Sequence, residues 1–258
     1  MCLVIFAWKT QRDSRLLLAA NRDEFHERPS QKLHWWADKP ALLAGRDLQA
    51  GGTWLAVSRN GRFATVTNYR EQQQKKAGLA SRGELVTDFV SGSASAKNHI
   101  SSIDGERYAG FSLLASDGEE LCYVSNRGDG PECLSPGIYG LSNASLDTPW
   151  TKLVRSTGKL RALLEAGKLN ETNLFRIMAD RTMAAVKDVE KSDLPFGLAR
   201  SLTAPFIVSA AYGTRCTTVM NWSCSGDIVL SERRFDAGGR KSGESRFSFT
   251  TVSAQARR

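Results

Sequence analysis

The chain has 258 residues, 41% of them hydrophobic and 24% charged. That is enough material for a substantial core and the balance of a soluble globular protein, which excludes disordered and fibrous classes. The formal net charge of +8 is dispersed, and no nucleic-acid-binding motif accompanies it, so an anionic small molecule is the expected partner rather than DNA or RNA.

In chain order, residues 2–8 read as an apolar strand, 9–14 as a polar turn and 15–20 as a second strand. Symmetric closure of that hairpin sets Trp8 against Arg15 and Cys2 against Asn21. Asn21 and Asp23 then share the face of Cys2, with Arg22 and Glu24 on the opposite face. A slip of one residue exchanges the two pairs. A second hairpin joins residues 53–59 to 62–68 through Asn60-Gly61, a type I′ turn signal, and brings Gly51-Gly52-Thr53-Trp54 beside Thr67-Asn68-Tyr69. Glycines at that end allow a ligand to approach the backbone closely.

Residues 70–80 read as a polar loop. A helix is expected after Ser81, where Ser81-Arg82-Gly83-Glu84 has capping-box spacing. A third hairpin pairs residues 111–115 with 121–125 around Asp117-Gly118. Thr148-Pro149 then reads as an N-cap and first helical residue, with helices to about 166 and over 171–180. Strands return at 214–222, 228–235 and 246–251, with a loop at 236–245 and a frayed tail at 252–258. Strands, then helices, then strands predict one α+β domain over residues 1–258, with helices on antiparallel sheets.

No apolar run approaches the ~18 residues of a membrane-crossing helix, so no stable membrane insertion is expected. The opening apolar run is short, has no basic region before it and does not read as a secretory signal, so a cytoplasmic location is expected. The five cysteines are scattered without zinc-like spacing and read as reduced thiols; the three histidines have no ligand spacing either, so no protein-bound metal site is expected.

Position 2 carries the chemistry. A small residue after the initiator favours removal of Met1, which leaves a thiol and a free α-amine on Cys2. Such a residue can supply both nucleophile and general base. The plainer role is a small buried residue opening a strand. Asp23 is the candidate orienting carboxylate, and Asn68 and Asn143 are candidate oxyanion donors. Arg215 can pair with Asp23 or hold an anionic substrate group; Arg22 and Glu24 read as a structural pair behind the site. Trp35, Trp36, Trp54 and Trp150 read first as core or rim packing.

Asn21-Arg22-Asp23-Glu24 with Arg28-Pro29-Ser30 resembles the signature of the NRDE proteins, the family of transport and Golgi organisation protein 2. The likeness continues through Gly51-Gly52-Thr53-Trp54, Thr67-Asn68-Tyr69, Ser81-Arg82-Gly83-Glu84, Tyr139-Gly140-Leu141-Ser142-Asn143 and Tyr212-Gly213-Thr214-Arg215, almost the whole chain. Cys216-Thr217-Thr218 departs from the pattern. That family is similar in turn to N-terminal nucleophile hydrolases of the bile-salt hydrolase and penicillin V acylase branch. The resemblance implies a four-layer αββα sandwich, a Cys2 nucleophile supported by Asp23, Asn68 and Asn143, and substrate contacts at Asn21, Arg22, Trp54 and Arg215. Ala20 stands where those enzymes carry an arginine, which Arg22 or Arg215 can replace.

Two functions follow from the resemblance. One is amide or thioester hydrolysis, or acyl transfer, through Cys2 with no cofactor required. The other is non-catalytic binding and trafficking of haem or acyl-CoA. A lipid anchor on Cys2 ranks below both, because no polybasic run supplies the second signal.

Overall fold

The computed structural model describes residues 2–70, 78–189 and 194–252. Met1, residues 71–77 of the expected loop and residues 253–258 of the expected tail lie outside the described residues. The chain opens with a hairpin of β1 (Cys2–Gln11) and β2 (Ser14–Phe25). It crosses to a second sheet through β3 (Ser30–Trp35), β4 (Leu42–Asp47), β5 (Leu55–Ser58) and β6 (Phe63–Asn68). Helices α1 (Arg82–Ser91) and α2 (Ala96–Ser101) precede β7 (Phe111–Ser116), β8 (Leu121–Ser125) and the short β9 (Glu132–Cys133). β10 (Gly137–Leu141) returns to the first sheet. Then come α3 (Thr151–Glu165), α4 (Glu171–Met178), the short α5 (Phe196–Ser201), β11 (Tyr212–Ser223), β12 (Asp227–Phe235) and β13 (Lys241–Thr250).

The first sheet runs β10-β1-β2-β11-β12-β13, and the second runs in sequence order from β3 to β9. Three apolar layers show how they stack. Phe6, Trp8, Leu18 and Met220 of the first sheet meet Leu55, Phe63 and Leu114 of the second. Behind the second sheet, Leu113 and Ala115 pack on Leu85, Val86 and Phe89 of α1. Behind the first, Leu3, Ile5 and Val219 pack on Leu153 and Leu160 of α3 and on Leu174 of α4. The architecture is a four-layer αββα sandwich with two antiparallel sheets. β1 is apolar from Cys2 through Trp8 because both its faces are covered there. Among the described residues, no helix is long and apolar enough to cross a membrane.

Bulges move both expected registers by one residue. Gln11 pairs with Ser14 across Arg12-Asp13, but a bulge between Trp8 and Gln11, with Lys9 at φ 47°, sets Trp8 against Leu16 and Cys2 against Arg22. The slipped pairing is therefore the one that forms. In the second hairpin Gly61 alone takes positive φ (73°), so the connection is not type I′. Ser58 N–H donates to Arg62 O (2.8 Å) and Gly61 N–H to Ser58 O (3.0 Å), a three-residue loop with a bulge at the glycine. Leu55 accordingly faces Thr65.

Other boundaries shift for local reasons. The Thr148 hydroxyl donates to Ser145 O (2.8 Å), so the helix starts two residues later, with Trp150 as its N-cap. The expected loop over 236–245 is shorter, because Asp236 N–H donates to Arg240 O (3.0 Å) and closes a turn after which β13 begins. Cys122 and Cys133 face one another across β8 and β9 and are joined in a disulfide, a correction to the reading of all cysteines as reduced. Cys2, Cys216 and Cys224 are free.

Candidate functional site

Cys2 stands at the end of β1, where the first sheet opens toward the second. It lines a cleft of about 560 Å³ with Arg22 and Asp23 from β2, Asn68 from β6, and Trp54 and Tyr212. Its backbone N–H donates to Asn143 Oδ1 (3.2 Å), and its carbonyl accepts from the Ser142 hydroxyl (2.8 Å). Asn143 sits in the left-handed region (φ 57°), one of the few residue types that tolerates it. Its Nδ2 donates to Asn68 O (2.8 Å), and its own carbonyl accepts from Arg70 N–H (2.7 Å). The Asn143 amide thus bridges the two sheets at the nitrogen of Cys2. The Oδ1 and one N–H of that amide are engaged, and Nδ2 carries a second N–H.

The slipped register decides which side chains accompany the thiol. Arg22 lies directly across from Cys2 and is only 5% exposed. Its guanidinium stacks on the Trp54 ring (4.3 Å to the centroid), and Nη2 lies 3.8 Å from Asp47 Oδ2. Its Nη1 is buried without a hydrogen-bond partner among the described residues. Cys216 flanks Arg22 on β11, so the arginine is held between two thiols. Burial raises the Cys2 thiol first of all; the Asp23 charge also raises it, while the Asp23 backbone amide and Arg22 lower it.

Asp23 points to the helix-facing side, where Thr214 donates to its Oδ1 (2.6 Å) and the Tyr212 hydroxyl donates to its carbonyl (2.8 Å). Burial raises the Asp23 carboxyl, opposed chiefly by the charge of Lys152. Asn21 shares that side and does not line the cleft: its Nδ2 donates to Met178 O (2.9 Å) and Pro205 O (2.8 Å), and its Oδ1 accepts from Thr217 (2.6 Å). Arg215 occupies a bulge of β11 and donates to the carbonyls of Phe25 (2.7 Å) and Arg28 (3.1 Å), while Thr214 takes the place at Asp23. Trp54 is at the cleft; Trp36 is buried in the core beneath α1.

Gly51 takes a positive φ (77°) with open space around it, whereas Gly52, at the cleft wall, packs on the chain itself. A Cβ on Gly52 would stand 2.7 Å from Gly83 C, so the pair lets the turn press on the start of α1. Glu24 does not pair with Arg22: it lies 3.9 Å from Arg28, whose Nε also meets Asp47 (2.7 Å).

Sequence reasoning missed Lys152. It is 4% exposed on the buried face of α3, and its charge acts on both Asp23 and Cys2. The available signal was its place in the stripe Lys152-Ser156-Leu160, where helical spacing puts a lysine on an apolar face. Among the described residues, the one set of metal-ligand types within reach is Glu120 with Cys122 and Cys133, and its sulfurs are joined to one another.

Two solved structures share the fold. A C2A mutant conjugated bile acid hydrolase from Clostridium perfringens aligns with TM-score 0.56 at 8% identity, covering 98% of this chain and 93% of the other. A penicillin V acylase from Agrobacterium tumefaciens aligns with TM-score 0.52 at 10% identity, covering 97% and 86%. Among curated proteins, the human transport and Golgi organization protein 2 homolog is 35% identical over 263 residues, covering 90% of this chain and 92% of its own. The mouse homolog is 33% identical over 260 residues with the same coverage. The family model described as transport and Golgi organisation 2 matches residues 1–237. On these grounds the chain belongs to the transport and Golgi organisation 2 family, with a fold of the N-terminal nucleophile hydrolase kind.

Proposed function

We propose that Cys2, freed of Met1, is the nucleophile of an amide or thioester hydrolase or acyl transferase. The observation that carries this reading is the grip of Asn143 on the Cys2 nitrogen at the mouth of the cleft. Once Met1 is gone, that nitrogen is an α-amine with an ordinary pKa of about 8, suited to take a proton near neutral pH. The thiol passes its proton to the amine, and sulfur attacks the substrate carbonyl carbon. The tetrahedral oxyanion collapses, expelling an amine or a thiol that takes the proton back. Water or a second acceptor then resolves the acyl-enzyme. Arg22 supplies positive charge beside the sulfur, in the row of β2 opposite Cys2, and so serves in place of the arginine absent at Ala20. Asn68 lines the cleft as an amide donor for the oxyanion.

The test joins intact mass with a panel of acyl amides and acyl thioesters. Freshly isolated protein is expected to lack Met1 and, in a Cys224→Ser background that removes the exposed thiol, to take up one alkyl group at Cys2. Turnover is expected to fall by at least a thousandfold in Cys2→Ala. Quantitative Met1 retention in active protein would sink the reading.

A second reading, binding of haem or acyl-CoA without turnover, draws support from the raised thiol and from Arg28 and Arg82 in the cleft lining. Saturation at one haem per chain in a Soret titration, with no turnover of the panel, is its expected signature. Adsorption without stoichiometry counts against it.

A further inference from the structure

A second cavity, of about 70 Å³, lies against the first turn of α3. It has room for roughly five waters, the size of a small organic acid. Its walls include Pro149, Val189 and Leu202, and its polar side includes Arg70, Trp150 and Lys152. The polar groups left over here are donors. Lys152 Nζ and the Trp150 indole Nε1 are both buried without a hydrogen-bond partner among the described residues. α3 has no side-chain N-cap bond; the Leu153 and Val154 N–H groups donate to Trp150 O (2.8 and 3.0 Å), which leaves the Thr151 and Lys152 amides without a helical partner.

The acceptors nearby are already occupied. Asn143 Oδ1 takes the Cys2 amide and the Asn143 carbonyl takes Arg70 N–H. Thr203 Oγ1 accepts from Ala184 (2.8 Å). The one acid in the lining, Asp188, is exposed at the rim. Asp23 acts on the Lys152 ammonium by charge but makes no hydrogen bond to it, and a buried ammonium and an indole N–H without hydrogen-bond acceptors are costly unless a ligand completes them. The N-terminus of a 15-residue helix adds its own preference for an anion.

We propose that this cavity is a binding site for a short-chain carboxylate, separate from the Cys2 cleft. The carboxylate accepts from Lys152 Nζ, the Trp150 indole and the Thr151 and Lys152 amides of α3, with Arg70 adding charge. The alkyl part lies against Pro149, Val189 and Leu202. The ligand is an anion because the site offers donors, and it is short because the space is small. The site's existence does not depend on whether Cys2 turns over a substrate.

The experiment titrates the full chain with butyrate and with butyramide, its neutral counterpart, by calorimetry or saturation-transfer NMR. Butyrate is expected to saturate at one per chain and to bind at least tenfold more tightly than butyramide. Lys152→Met and Arg70→Gln are each expected to weaken butyrate at least fivefold, while Cys2→Ala leaves it within twofold. Arg70→Gln keeps the test decisive should Lys152→Met fail to fold. Absence of saturable butyrate binding overturns the proposal, as does equal affinity for the two probes. So does unchanged binding in both cavity variants, and loss of binding in Cys2→Ala would assign the probe to the cleft instead.

Discussion

Arg22 illustrates how one position of register changes the chemistry of a residue. In the symmetric hairpin it faces away from Cys2; across the bulge at Lys9 it becomes the charged neighbour of the thiol. The Cys2 pKa is raised by burial and drawn down by Arg22, so removing the guanidinium leaves the raising causes less opposed. In Arg22→Met, alkylation of Cys2 by iodoacetamide at pH 8 is expected to slow several-fold, with its pH midpoint moved upward. An unchanged midpoint would mean that Arg22 does not act on the sulfur. Gly45 bears on the same group from the other side of the indole. A Cβ there would run into Trp54, the ring on which Arg22 stacks. Cys2, Arg22 and Trp54 could each be named from the sequence; the pairing of Arg22 with Cys2 and its stack on Trp54 could not be fixed there, because a bulge residue has no distinctive signature.

Turn chemistry located the hairpins, since Asn60-Gly61 and Asp117-Gly118 both connect strands as expected. It did not fix their pairing, which depends on whether one or both central residues take positive φ. The approach of the 51–52 turn to α1 was equally hidden, because a glycine that admits a ligand and one that admits a helix look alike in sequence. Gly52→Ala is expected to cost about 1–3 kcal/mol in urea unfolding, because backbone rather than a flexible side chain stands 2.7 Å from the new methyl. The helix layer has its own electrostatic tie. Lys159 of α3 meets Asp180, just past α4, at 2.6 Å. Partial burial raises the Asp180 carboxyl, but the Lys159 hydrogen bond, the two bonds from Thr182 and the Lys159 charge together outweigh it and hold the group at about 2. A carboxyl depressed in the folded state contributes stability above its unfolded pKa of about 3.9 and loses it as pH falls toward the folded value. The advantage of the parent over Asp180→Asn is therefore expected to shrink from pH 5 to pH 2. Because Lys159 is half exposed, it amounts to about 1 kcal/mol or less at pH 7. An advantage that grew toward acid would refute this assignment.

At the scale of the molecule, the alternation of strand and helix segments made α+β legible, whereas the four-layer stacking came only with the resemblance. The reason lies in β1 and β11, which are buried on both faces and so carry no alternation to say which side meets a sheet and which a helix. Asn21 shows the consequence. Taken as a substrate contact while it shared a face with Cys2, it is instead 1% exposed and ties the first sheet to the helix layer through Met178 O and Pro205 O. Asn21→Ala leaves two buried carbonyls and the Thr217 hydroxyl short of a partner, at a cost of about 1–3 kcal/mol for each one that water cannot reach. The variant is expected to lose about 2–4 kcal/mol of stability in urea, since such penalties do not add fully. Cys2 alkylation of the folded variant should stay within twofold of the parent, because the bonds removed lie on the far side of the sheet from the thiol. Unaltered stability with altered Cys2 reactivity would return Asn21 to the cleft. The expected pairing of results assigns it to the joint between the layers, which keeps β2, and with it Arg22, in place against Cys2.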